Sequence, residues 1–166
     1  MQFQIDVQRA EGIMDSRSLV VCIGNDLVAD DAVGHALYHL LTAAGLGKDV
    51  RVCLLGVGGM AVVDELEGEE LLIVVDAVQF GADPGTVHVL DWDQIPVSEM
   101  RPVSGHGIGV REALQVSQKL YPEKTPQAIY LVGVEGICFN AVGAGLSPLV
   151  KAALPRAVEE IAQLTR

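Results

Sequence analysis

Leu19-Val20-Val21-Cys22-Ile23-Gly24-Asn25-Asp26 is the stretch whose reading decides the fold. Five consecutive apolar residues end at a glycine and two turn-forming polar residues. A strand with one wet face alternates apolar with polar. A run apolar throughout belongs where both faces are covered, as in a parallel sheet between helices. Downstream, Val33, Leu37, Leu40, Leu41 and Ala44 recur at helical spacing, and Gly45 and Gly47 close the pattern.

The alternation then repeats. Val50 to Leu55 reads as a strand, Met60 to Leu66 as a short helix closed by Gly68, and Leu71-Leu72-Ile73-Val74-Val75 as a second fully apolar strand. Pro84-Gly85 makes a turn into a hairpin-like strand at Thr86 to Leu90. Val110, Ala113, Leu114, Ser117 and Tyr121 line another helix, and Ala128 to Val134 forms a strand. Ser147-Pro148 opens the last helix as N-cap and first-turn proline, and Pro155 is expected to kink or split it. Such alternation gives a three-layer α/β/α sandwich around a mostly parallel sheet. There is no internal repeat or linker, so residues 18–166 form one domain. Residues 1–17 carry no clear period and read as a flexible N-terminal extension.

Composition narrows the function. The sequence has 166 residues, enough for one domain with a sizeable core. Twenty-two acidic residues against 11 basic ones give a net charge of -11, which repels phosphate backbones and anionic lipid. No apolar run approaches the length of a membrane span, and the first residues lack a secretory pattern. Cys22, Cys53 and Cys138 are an odd count without close spacing, as expected of reduced core thiols in the cytoplasm.

In open α/β sheets ligands bind beyond the carboxyl ends of the strands. Asp30 and Asp31 follow the first strand, and Asp76 directly follows the Leu71 to Val75 strand. His106 lies in Ser104-Gly105-His106-Gly107-Ile108-Gly109 just before a helix. Two carboxylates and an imidazole from three loops can converge on one divalent ion, Zn²⁺ or Ni²⁺, and leave a position for water or substrate. Plainer explanations stand beside this one. Acids at a helix start complement the helix dipole, and Asp76 can cap a turn.

Two other sites compete. His35 and His39 share a helix face, but Ala36 stands where the zinc-peptidase pattern needs a glutamate. Gly56-Val57-Gly58-Gly59-Met60-Ala61 spells a dinucleotide fingerprint built on Gly56, Gly58 and Ala61, with Asp76 spaced as a ribose-binding acid. That reading leaves Asp30, Asp31 and His106 without a role. His88 reads as a solvent-facing strand residue.

Taken in order, these blocks resemble the hydrogenase maturation endopeptidase family. Gly24-Asn25-Asp26-Leu27-Val28-Ala29-Asp30-Asp31-Ala32-Val33-Gly34 is similar to its opening signature. Asp76-Ala77-Val78 with Gly81 and Pro84-Gly85 is similar to the second block, and Ser104-Gly105-His106 to the third. Gly133-Val134-Glu135 and Gly145-Leu146-Ser147-Pro148 resemble the closing ones. Ala32 replaces a glycine common in the family, and the Gly56 loop departs from its usual Gly-Thr.

The resemblance implies a phosphorylase/hydrolase-like fold and a divalent metal, Ni²⁺ borne by the substrate or Zn²⁺, held by Asp31, Asp76 and His106. It implies a hydrolase that cuts a C-terminal peptide from the nickel-loaded large-subunit precursor of a nickel–iron hydrogenase. Asp30 is then a residue beside the metal ligands, available for proton handling. The expected protein is a cytoplasmic monomer that engages neither nucleic acid nor membrane. A nickel-checking binding module without proteolysis, or an inactive paralogue, is the other class the same residues allow.

Overall fold

A computed structural model describes residues 17–56, 58–95 and 109–166. Its strands are β1 (Ser18–Ile23), β2 (Val50–Gly56), β3 (Leu71–Val78), β4 (Val87–Asp91) and β5 (Ala128–Glu135). Its α-helices are α1 (Val33–Ala44), α2 (Ala61–Glu65), α3 (Val110–Leu120) and α4 (Pro148–Leu164). Short 3₁₀ helices at Ala29–Ala32 and Trp92–Gln94 precede α1 and follow β4.

The five strands lie in the order β2-β1-β3-β5-β4, all parallel except β4, which runs antiparallel to β5. The helices cover both faces, the three-layer arrangement expected from the alternation. Period two decides which helix each side chain meets. Val20, Cys22, Ile73, Val75, Val132 and Val134 pack beneath α1 and α4. Leu19, Val21, Leu72, Val74 and Leu131 pack on the other face with Val62 of α2 and Leu114 of α3. Every residue of β1 is buried, which is why its sequence shows no alternation. Among the described residues no helix is long and apolar enough to cross a membrane.

Several expectations are corrected. The second apolar strand runs on to Val78, so Asp76 lies inside β3 and does not follow it. The strand after Pro84-Gly85 pairs with β5 and not with β3, so no hairpin forms there. Leu40 is 42% exposed, so the buried face of α1 is narrower than its apolar pattern. Helix α4 continues through Pro155 as one element of 17 residues. Pro155 and Lys151, whose carbonyl loses a donor to the proline, are both exposed, so water can satisfy that carbonyl without breaking the helix. Residues 1–16 of the expected extension lie outside the described residues.

The chain leaves β1 for β2 on one side and returns to β3 on the other. The carboxyl ends of β1 and β3 therefore border the crevice where doubly wound folds place ligands. Backbone contact closes the base of this crevice. A Cβ at Gly34 would stand 1.9 Å from the carbonyl oxygen of Ile23, and one at Gly24 (φ +149°) would stand 2.1 Å from that of Asp31. Alanine normally favours a helix over glycine by about 1 kcal/mol. At Gly34 the clash should win. We predict that Gly34→Ala lowers the urea unfolding midpoint, with a loss of about 2 kcal/mol or more. An unchanged or raised midpoint would contradict the close approach.

Candidate metal and catalytic site

Asp30 and Asp31 sit in the 3₁₀ turn that joins β1 to α1. Ala29, just before them, has φ +32°, a conformation that strains any residue with a Cβ. The turn holds because its polar groups are answered. Asp31 N–H donates to Val28 O at 2.9 Å, and Asn25 N–H donates to Asp31 O at 3.1 Å. The side chain of Asn25 in turn accepts from Leu27 N–H at 3.0 Å.

The two acids have different surroundings. Asp30 is fully buried. Its Oδ2 accepts from Ile137 N–H at 3.0 Å, Cys138 N–H at 2.9 Å and Ser147 Oγ at 2.8 Å. Its Oδ1 accepts from Ser147 N–H at 2.7 Å. Burial alone would raise its pKa, but the four donors outweigh burial and hold it below the usual carboxylate range. A carboxylate so engaged has no reason to take up a proton near neutral pH. Proton handling by Asp30 therefore does not fit this geometry, which is that of a positioning group.

Asp31 is 4% exposed and interacts electrostatically with Asp76. Asp76, opposite Gly133 of β5 in the register, follows Val74 and precedes Val78 on the α2/α3 face. A Cβ at Gly133 would stand 2.8 Å from Val78 Cγ1, so packing leaves no room for a side chain opposite Asp76. The carboxyl of Asp76 is pushed up to about 8, first by burial and then by the charge of Asp31, while the Ala77 N–H bond to Oδ1 at 2.8 Å opposes the shift. Two coupled carboxyls form an oxygen donor set that suits a divalent cation, and such a cation would relieve their repulsion. His106, with Ser104 and Gly105, lies outside the described residues, so two of the three expected ligands are seen to come together.

The competing readings fare differently. His35 is partly buried and His39 exposed on α1, where His39 packs edge-on against Tyr38 with ring centroids 5.4 Å apart. Among the described residues, no three His, Cys, Asp or Glu side chains gather as a metal site, so the helix pair has no third ligand there. The Gly56 loop leads into α2, a helix of only five residues, and Val57 is outside the described residues. Asp76 is on β3, separated from β2 by β1, whereas a ribose-binding acid belongs on the strand beside the glycine loop. Cys22 and Cys53 have thiols pushed up to about 12 and about 11, in both cases chiefly by burial. Cys138 lies in the loop after β5 and is only partly buried, so it is not the core thiol expected, and all three are free thiols.

His88 is not solvent-facing. Its Nε2 lies 3.0 Å from Oε2 of Glu135, and its ring packs edge-on against Phe80. Glu135, 3% exposed, also accepts from Phe80 N–H at 3.1 Å and Gly81 N–H at 2.9 Å. This cluster fixes the loop after β3, close behind Asp76. In the sequence its traces are an acid ending an apolar strand and the Gly133-Val134-Glu135 block, neither of which points to His88. A polar cleft of about 260 Å³ among Asp91, Trp92, Arg111, Gln115 and Gln127 lies near the amino end of β5, away from Asp31 and Asp76.

The profile of the hydrogenase maturation protease family matches residues 35–164. The hydrogenase expression/formation protein HupD of Rhizobium leguminosarum bv. viciae is 30% identical over 154 residues, covering 90% of this chain and 74% of that protein. The hydrogenase maturating endopeptidase HybD of Escherichia coli superposes with a TM-score of 0.75 at 26% identity, over 87% of this chain and 89% of that one. The [NiFe] hydrogenase maturation protease HybD of Thermococcus kodakarensis gives a TM-score of 0.77 at 26% identity, over 90% and 99%.

The raised carboxyl of Asp76 predicts a pH dependence of stability. The folded chain keeps a proton on Asp76 up to about pH 8, whereas the unfolded chain loses it near the ordinary aspartate value of 3.8. The associated stability is full below the lower value, falls as pH rises between the two, and is lost above the upper one. With chelator present, thermal stability should therefore decline across that window. Asp76→Asn should flatten the decline and raise the melting temperature at pH 8. Parallel pH profiles for the two proteins would contradict the coupling.

Proposed function

Because this chain belongs to the hydrogenase maturation protease family, we propose that it is a metal-dependent endopeptidase acting on the nickel-loaded large-subunit precursor of a nickel–iron hydrogenase, from which it removes the C-terminal peptide. The observation that carries the metal reading is the charge-coupled pair of Asp31 and Asp76 beside the crevice between β1 and β3. Both carboxylates would serve as oxygen donors and His106 as the nitrogen donor to one divalent ion, Ni²⁺ presented by the precursor or Zn²⁺. When bound, such an ion polarises the scissile carbonyl and lowers the pKa of an attacking water.

The chain's own groups set the conditions for that chemistry. Asp76 would give up its proton to make room for a cation, and Asp31 is held in place by the backbone contacts of the 3₁₀ turn. A set of only three protein donors would leave room at the ion for water or substrate. We infer further that the protein acts in the cytoplasm as a monomer, apart from nucleic acid and membrane. The net charge of -11 supports the last two points.

The test pairs single-turnover cleavage of nickel-loaded precursor with apo melting temperature for Asp31→Asn and Asp76→Asn. Cleavage should fall at least about a hundredfold, or roughly 2.7 kcal/mol of transition-state stabilisation. Apo stability should hold or rise, since one of two repelling acids is gone. Folded variants that still cleave near the wild-type rate would sink the assignment. A wild type that binds the precursor tightly but removes no peptide by intact mass would point to a nickel-checking module instead.

A further inference from the structure

The sequence assigns Ser147 to capping α4, but its side chain makes no bond to the helix it precedes. Its hydroxyl donates to Asp30 Oδ2 at 2.8 Å, and its N–H donates to Asp30 Oδ1 at 2.7 Å. The anion at the start of α4 is thus supplied by a residue 117 positions away. It suits the positive end of a 17-residue helix. The same carboxylate holds the loop after β5 through Ile137 and Cys138, and Asp30 N–H donates to Cys138 O at 2.9 Å. A bridge between Val28 and Val142 and a bond from Gly143 N–H to Leu27 O at 2.8 Å join the two loops again.

Asp31 is the next residue after this clamp, and the positive φ of Ala29 lies just before it. We propose that Asp30 and Ser147 form a positioning pair that aims the Asp31 carboxylate, with α4 as the fixed point. This rests on the metal-site reading above. The arrangement is specific about chemistry. Every neighbour of the Asp30 oxygens is a donor, so an amide at position 30 would turn its NH₂ toward other donors. At position 147 a hydroxyl is needed, which threonine keeps and alanine lacks.

The experiment compares Ser147→Ala, Ser147→Thr and Asp30→Asn with the wild type, using Zn²⁺ calorimetry and the separation of kcat from KM in precursor cleavage. Ser147→Ala should bind Zn²⁺ about tenfold more weakly and lose about tenfold in kcat, with KM within about twofold. Ser147→Thr should recover both, and Asp30→Asn should lose more than Ser147→Ala. A Ser147→Ala protein with wild-type kcat, a loss carried wholly by KM, or a threonine variant as impaired as alanine would overturn the pair. If the wild type itself leaves the precursor uncut, the peptidase reading fails. The Zn²⁺ titrations then decide the pair alone, with unchanged affinity in Ser147→Ala counting against it.

Discussion

Between the last residue of β1 and the first turn of α1 there is no room for a side chain. Gly34 brings the helix backbone against Ile23, and Gly24 brings the turn against the carbonyl of Asp31. The rest of the site follows from this contact. It forces the chain to reverse within a few residues at the carboxyl end of β1. The 3₁₀ turn that results, with Ala29 at positive φ, carries two consecutive acids into a largely buried position. The crossing of β1 to β2 on one side and β3 on the other then sets Asp76 within electrostatic reach of Asp31.

The three acids show two answers to the same cost. Taking a carboxylate out of water is unfavourable unless donors or an opposite charge replace the solvent. Asp30 receives four donors from one loop and one helix start, and stays ionised as a structural tie. Asp76 receives one backbone donor and the unfavourable field of Asp31, and its carboxyl is driven up to about 8. A proton relieves that strain in the metal-free chain, and on the proposed reading a divalent cation relieves it during function. Glu135 resembles Asp30 in kind: buried, held by Phe80, Gly81 and His88, and used to fix a loop.

The layer order and most elements were legible because buried parallel strands write themselves as unbroken apolar runs, as at Leu19 to Ile23 and Leu71 to Val75. The end of β3 was not, because a charged residue at position 76 looks like a terminus when its partner strand is unknown. The pairing of β4 with β5 depends on contacts across some forty residues of chain, which local pattern does not encode. Asp31 and Asp76 could be singled out from their places beside apolar strands. The separation of Asp30 from Asp31, the redirected hydroxyl of Ser147 and the Glu135–His88 contact needed the fold, since each joins residues distant in sequence.

The central claim is that Asp31 and Asp76, with His106, hold one divalent ion beside the crevice between β1 and β3. Crystals of the chain grown with Zn²⁺ and measured with anomalous diffraction at the zinc edge test it directly. The account predicts a single strong peak within bonding distance of a carboxylate oxygen from Asp31, one from Asp76 and a ring nitrogen of His106. A peak on His35 and His39, or none near Asp31 and Asp76 at saturating Zn²⁺, would contradict it.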